Sequence, residues 1–207
     1  MKAFLSLSLF AVCQLCFAQT DTKLIAAGNW SEAVPDGDHS LRGRLLVYDE
    51  PNPPCIARIY IELQHISTRL GARTSPIEIY FYTHDDLRFE MRHGSGQLVP
   101  PNGTGVASVP SPRWIVFPCD SSESLRVNDY FRLNLLMSAP SSDPAIIESA
   151  LKILVCSGCW LIAPDATNDF FLSASFTPQT NHPSPLNYPI WQGTLKLPAV
   201  KIPAKWP

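Results

Sequence analysis

The stretch ARIYIEL, residues 57–63, decides the fold class, because apolar and polar side chains alternate one by one along it. Successive side chains of an extended strand point to opposite faces, so this alternation predicts a strand with one buried face. Residues 77–82 (IEIYFY) and 87–92 (LRFEMR) repeat the pattern. The glycines of residues 93–96 (HGSG) then predict a turn, with a return strand at 97–99.

Further strand-like segments follow the same logic and lie at 41–48, 114–117, 124–127, 130–137, 170–176 and 194–202. Pro198 and Pro203 remove backbone donors from the last segment, which predicts an edge strand. Residues 143–163 suit either one helix or a short helical turn at 144–150 and then a hairpin, with 151–156 and 159–163 as its strands. We favour the hairpin. The sequence therefore predicts an all-β fold, an Ig-like antiparallel β-sandwich with at most one short helix.

Composition excludes several classes of protein. The 207 residues carry 16 Lys and Arg against 18 Asp and Glu, so the formal net charge is −2. Such a chain has no net positive field for nucleic acid, and none is expected as a partner. The 20 prolines are spread along the chain and argue against a coiled coil. Two Pro-rich stretches, 100–112 and 178–190, predict long loops within one domain.

The first 18 residues have the pattern of a secretory signal peptide. Lys2 precedes an uncharged apolar run, and Cys16-Phe17-Ala18 places small residues where cleavage before Gln19 is expected. The alternative is an apolar helix belonging to the folded domain. We expect residues 19–207 to form a single β-sandwich domain that is secreted or periplasmic. The longest other apolar run, 151–163, is too short for a transmembrane segment.

Four cysteines remain after the expected cleavage: Cys55, Cys119, Cys156 and Cys159. An even number in an oxidising compartment favours disulfides, and four cysteines allow three connectivities. We favour Cys55–Cys119 together with Cys156–Cys159. The spacing of the second pair also suits a redox motif, but its flanks are apolar and no basic residue adjoins the first sulfur. A zinc site would need ligands that no second paired motif supplies.

Tryptophans and one His-Asp pair are the candidate ligand-binding residues. Trp30 and Trp191 lie near turns and, with Trp206, are the tryptophans expected at the surface, where they suit carbohydrate stacking; partial burial is the competing interpretation. Trp114 and Trp160 lie in apolar strands and are expected in the core. His84 and Asp85, followed by Asp86, suit cation binding, but a turn between two strands is the favoured interpretation. Glycan-acceptor motifs begin at Asn29 and Asn102 and matter only in a eukaryotic host.

No nucleophile elbow, phosphate-binding loop or spaced metal-ligand motif is present in the sequence. We therefore expect no catalytic residue, no metal, no cofactor and no enzymatic activity. The remaining interpretation is a binding module, whose partner would be another exported protein or a cell-envelope polysaccharide.

Several segments together resemble a family of exported bacterial Ig-like domains similar to the BsuPI-type module, which is named for a proteinase inhibitor. They are LRGRL (41–45), LQHIS (63–67), PIEIYF (76–81), LRFEM (87–91) and WQGTLKLP (191–198). The chain departs from that pattern at His65, where the family tends to have Asn. The resemblance implies an Ig-like fold, with protease inhibition as an alternative function, and it assigns no functional residue. Carbohydrate binding is the second alternative and depends on the tryptophans.

Overall fold

The structure is a computed structural model, and it describes residues 23–50, 56–67, 75–102, 106–108, 112–127, 129–132, 149–155, 158–163, 166 and 168–203. The predicted signal peptide, Cys55, Cys156 and Trp206 lie outside these residues, as does most of the predicted helical turn at 144–150. The statements below concern the described residues.

The described chain is almost entirely β-structure, which confirms the predicted all-β class with at most one short helix. Its single helix, α1, has four residues, Thr83–Asp86. The strands are β1 (Leu24–Ala27), β2 (Val34–Asp36), β3 (His39–Glu50), β4 (Ile56–Ser67), β5 (Ile77–Phe81), β6 (Leu87–His93), β7 (Leu98–Val99), β8 (Val106–Ser108), β9 (Arg113–Phe117), β10 (Ser122–Arg126), β11 (Asp129–Arg132), β12 (Leu151–Val155), β13 (Gly158–Ile162), β14 (Phe170–Phe176) and β15 (Leu195–Ile202).

Two sheets provide most of the architecture. The larger has the order β1-β3-β4-β12-β13, with β2 also pairing with β3 and β10 with β4. The second has the order β15-β14-β6-β7, and two-stranded sheets β5-β9 and β11-β8 complete the set. All these pairings are antiparallel except β12 with β4. The longest ladder joins β3 and β4 from His39↔Ser67 to Glu50↔Ile56.

The hydrophobic core lies between the inner faces of the two main sheets. Alternate residues of β4, among them Ile59, Ile61 and Leu63, are fully buried in one cluster with Leu172 of β14 and Ile202 of β15. This arrangement is that of a β-sandwich, in which strands such as β6 and β14 bury every second side chain, whereas β12 is buried along its whole length.

Gly43 shows how closely the sheets approach each other. A Cβ atom at this position would lie 2.7 Å from Leu197 Cδ2 and 3.0 Å from Leu63 Cδ2. Real side chains do not pack that closely, so a residue without a Cβ lets β15 cross over β3 at this point.

The predicted strands correspond to observed ones as far as the structure describes them, because residues 133–137 of the predicted strand 130–137 lie outside the described residues. β15 is an edge strand as expected. The hairpin strands are confirmed too, with Leu151 opposite Ile162 and Val155 opposite Gly158, so the second strand begins one residue earlier than predicted. Sequence patterns missed β1, β2 and β8. The last lies within 100–112, which was predicted to be loop throughout, whereas 177–190 has no strand of its own, as expected.

Candidate binding surface

Trp30 lies beside the long β3–β4 hairpin. The chain between β1 and β2 follows the edge of β3 that faces away from β4. Gly28 N donates to Leu45 O at 2.8 Å, and Ser31 N donates to Gly43 O at 2.8 Å. Ser31 Oγ also accepts from Gly43 N at 3.0 Å. These bonds on both sides of Trp30 fix its backbone against a strand that is itself paired over its whole length.

Two guanidinium groups contact the indole ring of Trp30, which is half-buried. Arg42 Cζ lies 4.8 Å from the ring centroid and Arg44 Cζ lies 4.6 Å from it. Both arginines point to the outer face of the sheet, because they alternate with the core residues of β3. The contacts are cation–π interactions, worth about 0.5–1 kcal/mol each at an exposed site.

Each arginine is in turn held by the residue opposite it on β4. Arg44 Nε donates to Glu62 Oε2 at 2.6 Å, and Arg42 Nε donates to Gln64 Oε1 at 2.7 Å. The contact with Gln64 leaves the charge of Arg42 uncompensated, since the amide is neutral. We name the five residues Trp30, Arg42, Arg44, Glu62 and Gln64 the Trp30 platform. Serines of β10 extend it, with Ser122 opposite Gln64 and Ser124 opposite Glu62.

The other described tryptophans, Trp114, Trp160 and Trp191, do not lie between strand-borne arginines as Trp30 does. Trp191, expected at the surface, is 1% exposed and donates from Nε1 to Val34 O at 3.3 Å, so that expectation is wrong. Its position between β2 and the core explains the burial. Trp160 is buried as predicted, but Trp114 is half-buried and packs edge-on against Tyr80 on the outer face of β5–β9.

A cavity of about 390 Å³ lies over the buried Trp191, and Asp36, Asp38 and His39 also line it. His39, which lines this cavity, contacts a second buried histidine. Its Nδ1 lies 3.1 Å from His65 Nε2. His65 Nδ1 lies 3.1 Å from Pro118 O, which can only accept, so Nδ1 carries the proton and His65 Nε2 accepts from His39.

Burial lowers the pKa of His65, and the neighbouring His39 adds to that effect, while the Pro118 carbonyl opposes it. The neutral imidazole is therefore the favoured form. Sequence patterns missed this pair, which lies 26 residues apart along the chain. The sequence did contain a usable signal for its burial. His65 comes two residues after Leu63, so it points to the same side of the strand as the apolar residues of ARIYIEL.

His84 and Asp85 lie in α1, a single helical turn that joins β5 to β6, so the turn interpretation fits the structure. The side chain of His84 is not among the described ones. Asp85 is exposed and accepts from Gln179 Nε2 at 3.2 Å. The buried carboxyl at this turn belongs to Asp86, the third residue of the candidate cation site. Burial raises the pKa of Asp86 to about 6, although Oδ2 accepts from Tyr82 N at 2.7 Å.

Neither predicted disulfide lies wholly within the described residues, and no disulfide joins two of these. Cys119 is half-buried in the turn after β9, and Cys159 is buried opposite Leu154. Burial raises the pKa of the Cys159 thiol to about 11, with the charge of Lys152 opposing the shift. At neutral pH this thiol is protonated and therefore a poor nucleophile.

The two glycan-acceptor asparagines have different surroundings. Asn29 is exposed, in the segment that follows the edge of β3. The side-chain amide of Asn102 hydrogen-bonds the backbone of β13. Its Nδ2 donates to Leu161 O at 3.1 Å, and its Oδ1 accepts from Leu161 N at 2.7 Å. Its amide is thus committed to a structural role.

No protein-family model matches the chain, and comparison with curated protein sequences and with solved structures produced no significant match. In the part of the chain that the structure describes, no helix is long and apolar enough to cross a bilayer. No cluster of three or more metal-ligating side chains occurs among the same residues.

Proposed function

We propose that the chain is an exported, non-enzymatic binding module that takes another exported protein on the Trp30 platform. The observation that carries the proposal is the half-exposed indole of Trp30, held between two arginines on a fully paired hairpin. Trp, Tyr and Arg dominate the binding energy of protein interfaces, because they offer large contact areas with a polar end.

Preorganisation of the platform supports the same proposal. Cation–π contacts and cross-strand hydrogen bonds already order Trp30, Arg42 and Arg44 before any ligand is bound. A partner therefore meets side chains that have lost much of their rotamer freedom, which reduces the entropic cost of association. Tyr48 and Tyr60 form an edge-to-face pair farther along the same face and extend the aromatic surface.

The groups with nucleophilic or acid–base potential support a non-enzymatic role. The raised pKa of the Cys159 thiol disfavours a thiolate, and His65 is fully buried with both ring nitrogens engaged. The BsuPI-type resemblance is an expectation about the fold and does not specify which exported protein is bound. A protease as the captured partner would make the module an inhibitor.

The test uses the full-length chain with a C-terminal tag, crosslinked in the exported fraction of its native host. Wild type is compared with Trp30→Ala and with Leu186→Ala, an exposed apolar residue in the 177–190 loop that serves as the control. We expect one dominant protein to be captured by wild type and by Leu186→Ala but not by Trp30→Ala.

Thermal unfolding of each variant confirms that the fold is retained. Loss of a central interface tryptophan costs about 2 kcal/mol or more, which weakens binding about 30-fold. The proposal is contradicted if Trp30→Ala captures the same protein as wild type, or if wild type captures no protein at all.

A further inference from the structure

The second main sheet has its own outer face, formed by β6, β14 and β15, on the opposite side of the sandwich from the Trp30 platform. Its inward residues, such as Met91 and Leu172, are buried in the core, so the residues between them face solvent. Cross-strand register places these outward residues in rows, and two of the rows have a distinctive composition.

The first row is Arg88, Ser175 and Lys196. Ser175 on β14 lies directly opposite Arg88 on β6 and opposite Lys196 on β15. Because neighbouring strands are about 4.8 Å apart, the two cations start about 10 Å from each other with a hydroxyl between them. Both cationic residues are exposed and Ser175 is half-buried. These three residues line a shallow depression of about 320 Å³ together with Ser173 and Glu90.

The charges of this row are not compensated by the acidic groups nearby. Glu90 Oε2 pairs with Arg92 Nη2 at 3.1 Å, which draws that carboxylate along the strand toward Arg92. Asp169 Oδ2 pairs with Lys201 Nζ at 2.8 Å. Among the described residues, neither Arg88 nor Lys196 has an ion-pair partner. The depression is therefore complementary to an anion, which Ser175 can hydrogen-bond as a donor.

The second row is Arg92, Phe171 and Lys201, with Phe171 directly opposite both basic residues. Phe171 is half-buried, so part of its ring faces solvent on a face where the other half-exposed residues of β14 are serines. Ser175 lies four positions after Phe171 along β14, a distance of about 14 Å at about 3.4 Å per residue. A ligand that contacts both rows must therefore be extended.

We infer that this face, the Arg88–Phe171 face (Arg88, Phe171, Ser173, Ser175 and Lys196), binds an extended anionic polysaccharide. A carboxylate or sulfate group would lie between Arg88 and Lys196, and an apolar sugar face would cover the ring of Phe171. The Ser173 hydroxyl, which lies between the two rows and directly opposite Glu90, can donate to and accept from sugar hydroxyls. A folded acidic protein would instead bury a larger apolar centre than one phenyl ring.

The test measures retention and affinity of the full-length chain on three polymers: dextran sulfate, polygalacturonate and neutral dextran. We expect binding to at least one of the two anionic polymers and none to dextran. The affinity should fall as salt is raised, because the contacts are between exposed charges. No binding to either anionic polymer, or equal binding to neutral dextran, overturns the inference.

Variants separate the proposed geometry from net charge. The double variant Arg88→Ala/Lys196→Ala should weaken binding at least about tenfold, since charge-assisted hydrogen bonds are lost. The control Lys23→Ala/Arg113→Ala removes the same two residue types from exposed positions off this face and should leave the affinity unchanged. Equal loss in both double variants would show only general attraction to a polyanion and would overturn the site.

Phe171→Ala provides an independent readout. It should weaken binding while leaving the salt dependence unchanged, because the contact is apolar, whereas the charge variant should flatten the salt dependence. An unchanged affinity in Phe171→Ala, or equal affinity for single-stranded nucleic acid and for the anionic polysaccharide, counts against the inference. Failure here leaves the Trp30 platform untouched, because Trp30→Ala should bind these polymers like wild type.

Discussion

Substituting Asp86 by Asn should change how stability depends on pH. Asp86 is 2% exposed, and burial raises its pKa from 3.8 to about 6. A carboxyl with a raised pKa in the folded state binds its proton more tightly there than in the unfolded chain. Its contribution to stability is therefore fully present below pH 3.8 and is lost as pH rises through about 6.

The size of the effect follows from the shift. A change from 3.8 to about 6 corresponds to about 3 kcal/mol, since one pKa unit is about 1.4 kcal/mol. Asn is neutral at every pH and keeps an oxygen that can accept from Tyr82 N, as Asp86 Oδ2 does at 2.7 Å. The stability of Asp86→Asn relative to wild type should thus rise by about 2 kcal/mol between pH 4 and pH 7.5, because at pH 4 the carboxyl of the unfolded chain is already partly ionised.

Urea unfolding followed by tryptophan fluorescence at both pH values measures this difference. Taking the variant relative to wild type cancels the titration of every other group. Asp169→Asn is the control, because Asp169 is exposed and directly precedes β14, at the opposite end of that strand from α1. Parallel pH profiles for wild type and Asp86→Asn would refute the reasoning, since the folded state would then not favour the protonated carboxyl.

Three further substitutions test the core and the buried histidines. Gly43→Val should lower the free energy of unfolding by about 1–3 kcal/mol, because a Cβ atom would overlap Leu197 and Leu63; an unchanged urea midpoint would mean that the sheets are farther apart than described. Trp191→Ala should cost about 3–5 kcal/mol, as expected for a fully buried aromatic residue, and a cost below about 1 kcal/mol would place Trp191 at the surface. His65→Gln should reduce the loss of stability that occurs as pH falls below 6.5, because a histidine with a lowered pKa favours folding only when neutral. Denaturant unfolding at pH 7.5 and pH 5.5 in the Asp86→Asn background isolates that effect, and an equal pH dependence with and without His65 would contradict it.

The strands could be predicted because their signal is local. Residues of β4, β6 and β14 alternate between core and solvent, and the period of two is visible in the sequence itself. β1, β2 and β8 were missed because three or four residues contain too little alternation. The two-residue β7 was predicted from the glycine turn that precedes it. The β2–β3 hairpin had a usable signal in Gly37, which adopts a positive φ of 60° at the turn between Asp36 and His39.

The binding surfaces depend on register between distant strands, which sequence patterns do not provide. Trp30 was singled out from the sequence, but Arg42 and Arg44 become its neighbours only through backbone bonds of Gly28 and Ser31 to β3. Trp191 had the same kind of turn-rich context and is buried, because the 177–190 loop returns the chain to the core next to β5.

Glu78 illustrates the same limit for a charged residue. It occupies the polar phase of the β5 alternation, which predicts exposure, yet it is fully buried. Ser184 of the 177–190 loop hydrogen-bonds its carboxylate, and Pro189 O accepts from its backbone N at 2.9 Å. A loop that covers the outer face of a two-stranded sheet leaves no periodic trace in the strand beneath it.

The most direct test of the proposed function locates the contact on this chain. A photo-crosslinking residue is introduced at Gln64, within the Trp30 platform, and in a second variant at Leu186. After irradiation in the exported fraction of the native host, the Gln64 variant should yield a specific protein adduct that disappears when Trp30→Ala is added, and the Leu186 variant should yield none. An adduct at Leu186 alone, or one at Gln64 that persists without Trp30, would contradict a binding site on the Trp30 platform.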